Sequence, residues 1–129
     1  HLILNGLMVL PFGGLLERKR GSRQVLIVFV TATALSSIVF HLLTQAQDIQ
    51  ATGISAVGYA FVTGGVLLLP NVWKEFSLTV KWLYLFLIFL SGLMLLPAIT
   101  GWISTWLHLS GIASYLLVFI GSKCLRRRA

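Results

Sequence analysis

Charge is what this chain has least of. Three acidic residues (Glu17, Asp48 and Glu75) and ten basic ones make up 10% of its 129 residues, whereas a soluble domain carries about 25%. A chain this poor in charge has no means of covering a water-facing surface. Whole stretches hold no Asp, Glu, Lys or Arg: Gln24 to Gln47, Ile49 to Trp73, and Trp82 to Ser122. Cysteine is nearly absent too. The single Cys124 excludes an internal disulfide, and a bystander role in the basic tail is favoured over an acylated juxtamembrane thiol. The sequence has no cleavable signal peptide, no internal repeat, no low-complexity segment, and no phosphate loop or dinucleotide motif. His1, His41 and His108 have no partner carboxylates or clustered cysteines, so no metal site and no cofactor are expected.

What is present is apolar. Hydrophobic residues form 57% of the chain, and the mean hydropathy is +0.93. Crossing the hydrocarbon takes about 20 apolar residues per helix. The first two uncharged stretches therefore fit one span each, and the third fits two. With an opening span, the reading is an all-α, polytopic membrane bundle in one domain covering residues 1–129. Its spans fall at about residues 1–16, 24–43, 53–69, 82–97 and 104–122. Glu17 to Arg23, Thr44 to Thr52, Asn71 to Lys81 and Pro97 to Gly101 connect them, with Pro70-Asn71 read as the stop of the third helix. Helices are favoured because lipid leaves no partner for open backbone groups, and the runs lack the alternation of barrel strands.

The basic residues then orient the bundle. Loops after the first, third and fifth spans hold four, two and four Lys or Arg, and loops after the second and fourth hold none. Five spans place those sets on opposite faces, with the basic loops and the C-terminus cytoplasmic. The net charge of +7 is thus an orientation signal and not a nucleic-acid stripe. A bacterial inner (plasma) membrane location follows as the expectation, with the lipid bilayer as the surrounding partner.

Polar residues within spans are costly and mark functional candidates. His1 and Asn5 are four apart and share a helix face. Gly53-Ile54-Ser55-Ala56, with Tyr59 one turn on, opens the third span. His108-Leu109-Ser110-Gly111 lies near the start of the fifth. A lone membrane serine more often bonds its own backbone or a neighbouring helix. A lone histidine is commonly an interhelical bond, and His41, with no companion motif, reads as interfacial. The three clusters gain weight from their shared depth in the outer halves of their helices, since a nucleophile, a base and oxyanion donors must meet.

The order H-x-x-x-N, G-x-S and H-x-x-G on three separate spans resembles the rhomboid family of intramembrane serine proteases. Gly13 to Ser22 is similar to the family segment that ends its second span. The likeness covers essentially the whole chain, from the second to the sixth span of a six-span core, so the family's first span and the loop after it are missing here. The resemblance implies that Ser55 is the nucleophile and His108 the general base of a two-residue dyad. It also implies that His1 and Asn5, with the Ser55 N–H, stabilise the oxyanion, that Tyr59 packs on the imidazole, and that Gly53 and Gly111 permit close helix approach. Substrates would be single-span membrane proteins cut near the outer face.

Two positions depart from the family pattern. Ala56 replaces a glycine, which adds one methyl beside the nucleophile and the oxyanion site, a change small enough to be tolerated. Tyr115 stands where a second glycine would follow Gly111, implying a wider gap between the third and fifth spans or a tyrosine turned to lipid. The missing span and loop imply that this stretch alone is a poor enzyme. Two other readings compete with the protease. One is a catalytically inactive rhomboid-like protein that binds transmembrane helices. The other is a small transporter, disfavoured because no Asp, Glu, Lys or Arg lies within a span.

Overall fold

A computed structural model describes residues 2–44 and 54–128. Six helices follow in order: α1 (Leu2–Arg20), α2 (Ser22–Thr44), α3 (Ile54–Val72), α4 (Leu78–Leu93), α5 (Pro97–Thr100) and α6 (Trp102–Arg128), with a 3₁₀ turn, Trp73–Glu75, between α3 and α4. No strand occurs among the described residues.

Three segments are long and apolar enough to cross a membrane: Ser22–Leu43, Ile54–Glu75 and Trp102–Cys124. The expected fourth span is the apolar α4, but its 16 residues reach only about 24 Å, short of a hydrocarbon core of about 30 Å. The first, α1, spends its last turn on Arg18, Lys19 and Arg20. Helix ends differ from the sequence expectation in an informative way. Proline does not stop α3 at Leu69. Pro70 sits inside the helix, which runs on to Val72, because proline removes only its own N–H while the residues after it still bond backwards. Pro11 is likewise internal to α1. True breaks come from glycine. Gly21 (φ 85°) and Gly101 (φ 81°) are the positive-φ residues among those described, and their N–H groups close the preceding turns onto Glu17 and Pro97 carbonyls at 2.7 and 2.8 Å. Ser77 caps α4 by accepting from the Val80 N–H, and so starts that helix earlier than Trp82.

The bundle is inside-out relative to a soluble protein. Large apolar side chains such as Leu26, Val30, Phe86, Phe89, Trp102, Leu117 and Ile120 point outward, while Asn5, Ser36, Ser55, Ser91, Thr105, His108, Ser110 and Ser114 are buried. That distribution suits lipid outside, where packing and hydrogen bonds hold helices together in place of a hydrophobic drive. Most buried hydroxyls stay local, as Ser114 does in donating to the Ser110 carbonyl (2.7 Å).

Helix α3 is the axis. Thirteen of its 19 residues are buried, against three in the 23-residue α2. Its small residues receive rings from both neighbours. A side chain at Gly65 would strike the Phe12 ring of α1, and one at Gly64 would strike the Tyr115 ring of α6. In return, Phe61 of α3 packs over Gly13 of α1. Tyr115 is therefore neither turned to lipid nor a spacer. It is 1% exposed, and the absent glycine in α6 is answered by Gly64 in α3.

Filling Gly64 tests this exchange. Gly64→Ala forces the buried Tyr115 ring to move and is expected to destabilise the protein by about 1–3 kcal/mol. Gly64→Ala combined with Tyr115→Leu should cost less than the sum of the single changes, because the smaller side chain vacates the contested space. Unfolding midpoints of the four proteins in detergent measure the coupling; strict additivity would contradict it.

Candidate active site

Helices α1, α3 and α6 all begin at the same end of the bundle, and there they enclose a cavity of about 60 Å³. Its wall consists of Leu4, Asn5 and Met8 from α1, Ser55 and Tyr59 from α3, Met94 and Thr100 from the α4–α6 connection, and His108 from α6. At about 30 Å³ of liquid per water, it has room for roughly two water molecules. Asn5, Ser55 and His108 are each buried, so in an apolar bundle three polar side chains converge on one small cavity.

The imidazole of His108 is gripped on two sides. Tyr59 stacks on it with ring centroids 4.2 Å apart and planes at 21°, and the tyrosine is itself fixed by its hydroxyl donating to the Ser91 carbonyl of α4 (2.7 Å). At the ring edge, Nδ1 lies 3.1 Å from the Met94 carbonyl. A carbonyl only accepts, so Nδ1 carries the proton and, in the neutral ring, Nε2 is left as the acceptor. The same carbonyl accepts from Thr100 Oγ1 at 3.1 Å. Met94 is the C-cap of α4, and the last carbonyls of a helix have no intrahelical partner. Here one of them is used to orient a histidine. Thr105 ties the same turn together by donating to the Gly101 carbonyl (3.0 Å).

Of the residues that line the cavity, sequence reasoning named Asn5, Ser55, Tyr59 and His108 and missed Leu4, Met8, Met94 and Thr100. A main-chain acceptor carries no residue signature, and only the turn signal at Pro97–Gly101 pointed to this connection. Of the expected site residues, Asn5, Ser55, Tyr59 and His108 share the cavity. Gly111 lies one turn further, where any side chain would collide with the Ala56 carbonyl. His1 and Gly53 lie outside the described residues. Ser55 makes no hydrogen bond among the described residues, His108 included; such bonds are often long before substrate binds. Ala56 leaves the cavity wall free. It is buried, its main chain faces Gly111, and it is not among the residues that line the cavity. His41 is exposed in the last turn of α2, in keeping with an interfacial position.

A rhomboid domain matches residues 1–124 of the 129. The chain belongs to the rhomboid family, an integral membrane family that includes serine intramembrane proteases. No curated protein and no solved structure matches it.

The contact of Gly111 with the Ala56 main chain sets how closely the Ser55 and His108 helices approach. Gly111→Ala places a methyl against backbone that cannot step aside as a side chain does, and about 3 kcal/mol of destabilisation is expected. Gly121→Ala, where a side chain meets nothing within 4 Å, should be neutral or slightly stabilising. Comparing the two by thermal unfolding in detergent checks the assignment; equal effects would overturn it.

Proposed function

We propose that this protein is an intramembrane serine endopeptidase that cleaves single-span membrane substrates through Ser55 and His108. The observation that carries the reading is the convergence of Ser55, His108 and Asn5 on one cavity, with His108 held in a single tautomer by the Met94 carbonyl.

In this mechanism His108 Nε2 takes the Ser55 proton as Oγ attacks the scissile carbonyl, since serine is a weak nucleophile until a base activates it. The tetrahedral oxyanion is met by the Asn5 side chain, the Ser55 main-chain N–H and His1. Ser55 is the second residue of α3, where helix N–H groups lack intrahelical acceptors and the dipole favours negative charge. Collapse breaks the C–N bond and His108 returns the proton to the leaving amine. Water, deprotonated by the same nitrogen, then hydrolyses the acyl-serine. Each oxyanion donor contributes about 10²–10³ in rate. No third acidic residue is required, because the Met94 carbonyl and the Tyr59 ring do the orienting.

The membrane frame is part of the proposal. Five helices, α1 to α4 and α6, cross the bilayer, with α4 the short one. The basic ends of α1 and α6 lie on the cytoplasmic side, and the cavity opens toward the opposite face, where water reaches the peptide bond. Substrate helices with small or helix-breaking residues near that face unwind there most readily.

A serine-directed fluorophosphonate probe on the full-length protein tests the chemistry. Labelling is expected to vanish in Ser55→Ala and to fall at least 10²-fold, on the order of losing a catalytic base, in His108→Ala. Thr100→Val, which strips one donor from the Met94 carbonyl, should slow labelling by about tenfold through misplacement of the imidazole, whereas Thr100→Ser retains the rate. Labelling that ignores Ser55, or none at all with substrates still co-purifying, would leave the inactive helix-binding rhomboid-like protein as the answer.

A further inference from the structure

The opposite end of the bundle holds a second cavity, larger and different in chemistry. It measures about 190 Å³ and is lined by Lys19 and Arg20 at the end of α1, Gln24 in the first turn of α2, and Tyr115, Phe119 and Ser122 of α6. Room for about six waters in a wall this polar is not expected of a simple packing gap between apolar helices.

Its charge is unbalanced. The carboxylate nearby, Glu75, takes Lys19 (3.1 Å), and Glu17 accepts from the Ser22 hydroxyl (2.6 Å). Arg20 meets no carboxylate among the described residues. Its guanidinium stands 6.0 Å from the Phe119 ring centre, and Lys123 stands 4.4 Å from the centre of the same ring. Two cations are thus held around one aromatic that lines a polar hollow, an arrangement whose like charges an anion would relieve. A donor waits deeper in. Tyr115 is 1% exposed, yet its hydroxyl makes no hydrogen bond among the described residues. No fully buried polar atom described is left unsatisfied, so this hydroxyl opens into the cavity it lines. Gln24 adds an amide.

We propose that this cavity binds a phosphate group, and that in the membrane the phosphate is carried by an anionic phospholipid. The recognition is Arg20 and Lys123 for charge, with Tyr115 and Gln24 as hydrogen-bond donors. Position argues for a lipid source. The site lies at the charged end of the bundle, at headgroup depth in the proposed orientation, and α2 and α6, which help line it, carry exposed apolar side chains such as Ile27 and Ile120 against which acyl chains can lie. Basic pockets between membrane helices on the cytoplasmic side are suited to anionic headgroups. The inference concerns none of the residues assigned to hydrolysis, so it stands or falls separately from the protease reading.

Native mass spectrometry of the full-length protein titrated with phosphatidylglycerol or phosphatidylcholine of identical chains provides the test. Retention of phosphatidylglycerol should exceed that of phosphatidylcholine by about tenfold or more, as for a charged headgroup held by two cations. Arg20→Gln and Lys123→Gln should each weaken it about fivefold, and Tyr115→Phe, which keeps the packing ring, by about tenfold. Lys74→Gln removes a cation that neither lines the cavity nor stands against its Phe119 ring and should leave retention unchanged; a loss there equal to that in Arg20→Gln would mean general surface attraction and overturn the site. Equal retention of the two lipids would also overturn it. Inorganic phosphate titrated without lipid separates the sources: thermal protection that disappears in Tyr115→Phe, without lipid selectivity, would assign the cavity to free phosphate and overturn the phospholipid assignment.

Discussion

The close approach of α1 and α6 to α3 is the constraint on which everything else in this molecule depends. In lipid there is little hydrophobic gain from bringing two apolar helices together, so association rests on contact area and on small residues that admit a neighbour. Here the small residues are used asymmetrically. Gly65 and Gly64 of α3 take the rings of Phe12 and Tyr115, Gly13 of α1 takes Phe61, and Gly111 of α6 lies directly on the Ala56 main chain. Rings filling glycine hollows bury a large area without separating the backbones, and the Gly111 contact fixes the register of α6 on α3. That register decides which residues of the two helices meet at the cavity end, and they are Ser55, Tyr59 and His108.

The candidate site lies where α4 joins this packing. Helix α4 is held to the rest by specific polar ties: the Tyr84 hydroxyl donates to the Pro11 carbonyl (3.0 Å), Tyr59 to the Ser91 carbonyl, and the Ser91 hydroxyl lies 3.2 Å from Met8 Sδ. Its C-terminus ends on the carbonyl that orients His108. The imidazole therefore reports the position of two helices at once, α6 through its own attachment and α4 through Met94. A two-residue dyad has no carboxylate to hold its base, and an uncharged acceptor avoids placing an anion in a low-dielectric bundle, where desolvation is severe.

How much of this was legible in the sequence follows from what sequence can encode. Side chains with chemical identity were readable: Asn5, Ser55, Tyr59 and His108 were named from spacing, depth and family likeness, and they line one cavity. Turns carried by positive-φ glycine were readable at Gly21 and Gly101. Helix ends were not, because Pro70 and Pro11 were taken by type as breaks or left unused, while a proline late in an apolar helix costs one hydrogen bond and little direction. Tyr115 was misjudged for a related reason. Its fit depends on Gly64, fifty-one positions away, and no local pattern joins a ring on one helix to a hollow on another. The Met94 carbonyl was invisible altogether, since every residue has one and only the end of α4 makes it available.

The two ends of the bundle show why charge could be so scarce and still suffice. Helices α1, α3 and α6 run in parallel, so their N-termini, with the positive ends of their dipoles, gather around the cavity that holds Ser55 and His108. That is where an oxyanion would form. Their C-termini gather at the other end, where Arg18, Lys19 and Arg20 fill the last turn of α1 and Lys123 follows in α6. Cations there offset the negative ends of the dipoles and, in the proposed orientation, meet the cytoplasmic headgroup region. The basic residues at the ends of α1 and α6 thus serve helix stability and the proposed topology together. Among the described residues the end that holds Ser55 and His108 carries no Asp, Glu, Lys or Arg, and its electrostatics come from oriented backbone, as a site surrounded by hydrocarbon requires.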